Sequence, residues 1–381
     1  MLDISKILKR SWHILWSYRT LWIFGFILAL AVGGKNFGNN SHYSVNDGNN
    51  NNNQQPGIHA PDGWEGLRGD TLSEKLNDAF RQINEGIQQL RAKYPVEFRM
   101  GIAAAITLFV VILILSFVTA ILRYVAETAT IRMVNEYEQT DVKVGFRQGW
   151  KYGWSPVSWR LFLINFITHI PALLLFVILG LVAWWIISAA LSGVASALVN
   201  SFVAGIGLSF LFIFITVILM VVLLLLRDFA WRMAVLEGTG VMESLQLATS
   251  LVKRNWKSVS LMWLVMIGVK IVWAVAFFIL IFPLLIVSIL TAVGGVLVAI
   301  VPTLLTAGVA SLFSAPDYWP WIFAAVIGLP FFFVVAFSPI FLVSGWGQIY
   351  QSSVWTLTYR ELKTLETIVP AMIETGSPNS E

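Results

Sequence analysis

The sequence predicts an all-α membrane protein of about six transmembrane helices, arranged as three tandem parallel two-span repeats, each opened by an amphipathic cytoplasmic lead-in helix. Three observations predict it. Of 381 residues, 57% are hydrophobic and 12% charged, half of the roughly 25% charge an ordinary soluble domain carries. A water-soluble fold this apolar cannot cover its own surface, whereas a bilayer supplies an apolar solvent. Long apolar runs alternate with loops that hold nearly all the Lys and Arg, and one layout recurs along the chain.

The first unit opens with Ile4-Ser5-Lys6-Ile7-Leu8-Lys9-Arg10-Ser11-Trp12 and a short apolar run from Leu21 to Val32. This run borrows from the preceding Trp12–Tyr18 stretch to reach the roughly 20 residues a span requires. Its basic start and Ala29-Leu30-Ala31 also resemble a signal peptide with a cleavage site. A retained span is favoured, because later lead-ins echo this one. Residues 36–100 form an insertion that begins with an Asn-rich, disordered part around Asn49–Asn53. Its second half carries Leu76, Phe80, Ile83, Ile87 and Leu90 at spacings of 4, 3, 4 and 3. That stripe predicts an amphipathic helix over 71–94, suited to a membrane face, a protein partner or self-association. The returning span, Ile102–Leu122, continues into a cytoplasmic extension to residue 140.

The second unit, 141–238, begins with Val142-Lys143-Val144-Gly145-Phe146-Arg147-Gln148-Gly149-Trp150 and contains the spans 161–191 and 202–226. The third, 239–364, begins with Met242–Trp256 and contains the spans 261–285 and 322–349. Between these, 286–313 is rich in Gly and Ala and is expected to form a re-entrant or interfacial hairpin. Residues 365–381 are expected to be a flexible tail. The returning spans also end alike: Ile131-Arg132-Met133 recurs 100 residues on as Trp231-Arg232-Met233, and Trp355-Thr356-Leu357 stands third. Proline predicts kinks at Pro171, Pro283, Pro330 and Pro339.

Charge sets the expected orientation. Four basic residues lie in 1–19, six in 123–160, five in 227–257, and Arg360 and Lys363 follow, while 192–201 and 314–321 hold none. Lys and Arg favour short cytoplasmic loops, while long loops are exempt, so six spans with both termini inside place every short basic segment in the cytoplasm. A seventh span through 286–313 breaks that pattern. A bacterial plasma membrane is the expected location.

The Trp- and Lys/Arg-bearing lead-in repeated before apolar spans resembles the membrane domain attached to some bacterial glycerophosphoryl diester phosphodiesterases, and its stand-alone relatives. The similarity covers about residues 120–365 and rests on layout. The hydrolase half of those enzymes uses a His-Arg dipeptide, which this chain lacks, so the resemblance implies no activity.

Inventory narrows the chemistry. No cysteine is present, which removes thiolate catalysis and cysteine metal sites. The histidines His13, His42, His59 and His169 fall in three predicted compartments and cannot converge on one metal or triad. Neither a metalloprotease nor a serine-hydrolase motif occurs. No enzyme activity, cofactor, metal or nucleic-acid partner is therefore expected. Within the spans, His169 and Lys270 are the ionisable residues to single out, with Asn165 one turn before His169; a lipid or substrate pathway would use them, and a snorkelling Lys with a neutral, bonded His is the structural alternative. Lys6, Lys9, Arg10, Trp12, Arg147, Trp150, Lys253, Arg254 and Trp256 are expected to anchor the lead-ins at the inner interface against anionic headgroups, at about 1 kcal/mol per basic residue. The carboxylates Glu127, Glu136, Glu138, Asp141, Asp228, Glu237 and Glu243 read as solvated faces of loop helices. A non-enzymatic accessory or scaffold protein is the leading expectation, and a transporter or lipid-handling permease the alternative.

Overall fold

The computed structural model describes residues 2–36, 78, 81, 82, 84–89, 91–191, 195–312 and 318–375. Among these the chain is helical, in the order α1 (Ile4–Ser17), α2 (Leu21–Asn36), α3 (Pro95–Thr140), α4 (Phe146–Gly153), α5 (Pro156–Leu191), α6 (Ala195–Leu236), α7 (Val241–Arg254), α8 (Trp256–Ser311), α9 (Trp319–Ala336) and α10 (Ser338–Thr375). Five helices, α3, α5, α6, α8 and α9, are long and apolar enough to cross a membrane, and α1 with α2 makes a sixth if that bent pair is one span. The architecture is that of a multi-pass membrane protein.

The chain divides into two compact units, residues 1–38, 103–168 and 223–381 in one, and 39–102 and 169–222 in the other. In the second unit, Ile186 and Val182 of α5 pack where Gly205 of α6 has no side chain. Phe176, Trp184 and Phe210 there are exposed, as lipid-facing side chains are.

The first unit holds the buried core. Three helix segments supply its centre: Tyr124–Tyr137 of α3, Phe229–Val235 of α6 and Ile349–Leu362 of α10. Around them lie α1, α2, Val144, the first turns of α5, and parts of α7 and α8. Helix α1 starts at Asp3, whose carboxylate accepts from the Lys6 backbone N–H at 3.0 Å. It buries Ile7, Ile14 and Leu15, a spacing that puts them on one face. The chain then turns by 100° into α2, and the Tyr18 hydroxyl fixes the corner by donating to the Val144 carbonyl at 2.7 Å.

That corner refines one expectation. Trp12–Ser17 does not extend the first span as one straight helix, because it belongs to α1, which meets α2 at 100°. Helix α2 alone, at 16 residues, is about 24 Å long. It reaches α10 through paired glycines: a Cβ on Gly25 meets the Gly345 carbonyl oxygen at 2.8 Å, and one on Gly345 meets Gly25 backbone atoms at 2.5 Å. Small residues permit this approach between helices.

A correction concerns 286–313. No hairpin forms within it; the stretch continues α8, a single helix of 56 residues, and the chain turns back only beyond Ser311. The glycines and Pro302 suggested a turn, but Gly295 lies where the Phe332 carbonyl oxygen comes within 2.9 Å of a Cβ position, and Thr291 donates to the Ala336 carbonyl at 2.7 Å. The glycine therefore admits α9 rather than breaking α8. Helices α9 and α10 return antiparallel along α8, with Gly347 against the Trp273 indole and Glu366 against Arg254.

Helical structure also persists through Pro171, Pro283 and Pro330; the break comes at Phe337, leaving Pro339 in the first turn of α10, where a missing N–H is harmless. Helix α10 runs to Thr375, so the tail expected from 365 is helical over its first eleven residues; 376–381 lie outside the described residues. The Asn-rich part, His42 and His59 also lie outside them, as do most of the apolar positions of the helix expected over 71–94. Its residues 84–89 and 91–93 are helical. The neutral linker expected at 192–201 is shorter, since α6 starts at Ala195.

Replacing Gly345 by Leu is expected to force α2 from α10 and destabilise the first unit by about 1–3 kcal/mol, read as a lower melting temperature in detergent. Gly308→Leu is the control, since a Cβ there meets nothing within 4 Å; equal melting of both variants refutes the close approach.

Candidate functional site

Where α6 leaves its apolar stretch after Leu226, the sequence Arg227-Asp228-Phe229-Ala230-Trp231-Arg232 carries charge into the core. Helical spacing sets Asp228 and Arg232 on one face, and Nη1 of Arg232 donates to the Asp228 carbonyl at 2.5 Å. The Arg232 side chain is 2% exposed. Its Nη2 donates to the Ser352 carbonyl of α10 at 3.2 Å and lies 3.9 Å from Glu127 of α3. The Ser352 hydroxyl closes the triangle by donating to the same Glu127 oxygen at 2.8 Å. Nε of Arg232 is buried without a hydrogen-bond partner.

Arg227 turns the other way. It pairs with Asp228 at 2.9 Å, donates to Asn165 Oδ1 of α5 at 3.3 Å, and lies over the Trp231 ring at 4.7 Å. The Trp231 indole donates to the Leu161 carbonyl at 3.2 Å. Four helices are thus tied by two arginines and two carboxylates of balancing charge.

Beyond this layer, further pairs join the chain ends to α3, α6 and α7. Arg10 of α1 meets Glu138 at 2.6 Å, and Arg360 of α10 donates to Asn135 at 2.7 Å. Both terminal helices therefore meet the last turns of α3. Glu366 pairs with Arg254. Glu237 accepts from the Tyr359 hydroxyl and pairs with Lys363 at 2.7 Å. Burial pushes the Glu237 carboxyl up, but the Lys363 ammonium and the Tyr359 hydroxyl outweigh it and hold the group below its ordinary 4.5. Burial and the Glu237 charge raise the Tyr359 hydroxyl.

The carboxylates expected to be solvated are therefore corrected in part. Glu127, Glu138 and Asp228 are largely buried and paired. Of the residues singled out for a pathway, Asn165 bonds Arg227, His169 lies one turn further along the same helix and is counted with the second unit, and Lys270 is exposed on α8. The register set by Trp273–Gly347 and Arg254–Glu366 places Lys270 near the level of Tyr350, beside the polar layer. Of the expected anchors, Lys6, Lys9, Trp12, Arg147, Lys253, Arg254 and Trp256 are exposed, Trp150 half-buried against Phe146 and Trp154, and Arg10 held by Glu138. The apolar faces of α1 and α7 pack on protein, so α1 turns Lys6, Lys9 and Trp12 outward and α7 turns Lys253 and Arg254 outward. Among the described residues no three His, Asp or Glu gather as metal ligands.

Sequence reasoning flagged Arg232 only as part of a recurring tripeptide. Its partners Glu127 and Ser352 lie 225 residues apart and left no local signal.

Two predictions follow from this layer. Arg232→Ala strands Glu127 and is expected to cost about 3–5 kcal/mol of stability, with Arg232→Met plus Glu127→Leu recovering much of the loss; thermal melts of the three proteins decide. Because the folded pKa of Glu237 is depressed, its contribution is present above pH 4.5 and is lost as pH falls through the lowered value. The melting-temperature advantage of wild type over Glu237→Gln is therefore constant near neutrality and closes in acid; an advantage unchanged at pH 3 contradicts the pairing.

No curated protein and no solved structure matches the chain. Residues 3–363, which carry α1 to α9, most of α10 and every partner of Arg232, match a family model described as of unknown function. The chain belongs to that family, DUF7544.

Proposed function

We propose that this protein is a non-enzymatic membrane scaffold: three tandem two-span units whose returning helices lock into one rigid platform at the cytoplasmic face. The observation that carries the reading is the buried, charge-balanced contact of Arg232 with Glu127 and Ser352. It joins the returning helix of each unit to the other two. A contact of this kind fixes one register among the three helices, which suits a platform.

The surface supports the same role. Exposed Trp12 and Trp16 beside Lys6 and Lys9, Trp154 and Trp159 beside Lys151, and Trp256 beside Lys253 give each lead-in a basic, aromatic outer face. Such faces suit anionic headgroups of the inner leaflet and the acidic surface of a docked protein. Both terminal helices meet the last turns of α3, which places the two termini on one side and supports a reading with both in the cytoplasm.

The test separates scaffold from permease. In native membranes, chemical cross-linking of the tagged protein is expected to yield a discrete complex that Lys6→Glu with Lys9→Glu disperses. In proteoliposomes the purified chain is expected to move neither labelled lipid nor solute. Flux that Lys270→Leu abolishes would establish the permease instead.

A further inference from the structure

Arg132 and Arg232 occupy the same place in Ile131-Arg132-Met133 and Trp231-Arg232-Met233, yet the structure uses them differently. Arg232 is buried and held by Asp228, Ser352 and Glu127. Arg132 is half-buried and makes no hydrogen bond or ion pair among the described residues. It lines a cup of about 450 Å³ formed by α3, α4 and the end of α6, together with Asn135, Glu136, Gln139, Tyr152 and Leu236.

The other charged and polar groups around this cup are engaged. Asn135 Oδ1 accepts from Arg360, and the Tyr152 hydroxyl is bonded to Glu136 and Gln148. Arg132 is left with a five-donor planar fork facing open space, and the amide of Gln139 is exposed beside it. Arg132 and Glu136 are the charged groups that line the cup, and the Glu136 carboxylate is already held by the Tyr152 hydroxyl.

We propose that this cup binds a small water-soluble ligand through an oxyanion, a phosphate group, received by the Arg132 guanidinium and the Gln139 amide. Phosphate matches the site because its three oxygens accept the donors of the guanidinium edge and of the amide together, and because arginine pairs with it bidentately. The ligand comes from water rather than from lipid. Arg132 lies nine residues past Arg123, where the apolar part of α3 ends, about 14 Å along the helix, and the headgroup layer is only about 5–7 Å deep on each side. The inference takes the membrane edge from the reading above but does not depend on the scaffold role.

The experiment is calorimetric titration of the purified full-length chain in detergent with inorganic phosphate at fixed ionic strength. Saturable binding is expected, weakened at least about tenfold by Arg132→Gln and less by Arg132→Lys. Gln139→Ala, an exposed substitution that leaves the melting temperature unchanged, is expected to weaken binding several-fold and so keeps the test independent of folding. Arg147→Gln, an exposed arginine outside the cup, is expected to have no effect. Absence of saturable binding in wild type, or equal weakening by Arg147→Gln, overturns the site. A second arm uses nanodiscs containing phosphatidic acid: Arg132-dependent lipid retention without phosphate binding overturns the water-soluble ligand.

Discussion

A guanidinium taken out of water must recover several kcal/mol of lost hydration from its surroundings, and Arg232 does so only because three helices arrive together. Its own helix gives a carbonyl, α10 gives another, and α3 gives a carboxylate. If any one of these is displaced, charge is stranded in the core. The arrangement is therefore an all-or-none constraint on how α3, α6 and α10 pack, and the surrounding apolar side chains supply the area that stabilises it. Its net energy is small, since buried ion pairs seldom exceed a well-packed apolar replacement. Its value is in specifying one register among helices whose apolar faces, rich in Leu, Val and Ile, would otherwise slide past one another with little penalty.

The same constraint sorts polar from apolar along the helices. Helix α3 is exposed and apolar through Phe109 and Phe117, then from Tyr124 becomes buried and partly polar. Helix α6 makes the same change at Arg227 and α10 lies wholly on the polar side beyond Tyr350. Lys270 belongs to this boundary rather than to the middle of a span. A lysine at such a boundary can keep its stem on apolar surface and its ammonium among headgroups and charged side chains.

Much of this was legible in the sequence. Apolar run length identified the helices at 102–122, 161–191 and 202–226. What escaped is instructive. The corner between α1 and α2 has neither Pro nor Gly; it is made by Tyr18 reaching Val144, a contact across 126 residues. Gly294, Gly295 and Pro302 read as a turn because local propensity cannot distinguish a glycine that bends a helix from one that admits a neighbour. In lipid the second use is common, and a helix there tolerates proline when neighbouring groups satisfy the freed backbone. Glu127 and Asp228 read as solvated because charge is usually exposed, and only the assembled core shows each beside an arginine.

Helix α8 carries the geometric consequence furthest. Beyond Lys270, from Ile271 to Ser311, it holds no charged residue, a length of about 62 Å against a hydrocarbon core of about 30 Å. Along this length Phe278, Ile289, Leu297 and Leu305 are exposed, and α9 covers only the opposite side through Gly295 and Gly328. A straight helix of that length fits the core only at a tilt of about 60°, beyond the 0–40° range of transmembrane helices. Keeping these side chains out of water therefore requires the α8–α9 hairpin to run partly along the bilayer rather than across it. Pro283 lacks the N–H that would hold the preceding turn, yet the helix continues through it. Tyr318 and Trp321 at the start of α9 are exposed, as suits amphipathic rings at a boundary between hydrocarbon and headgroups.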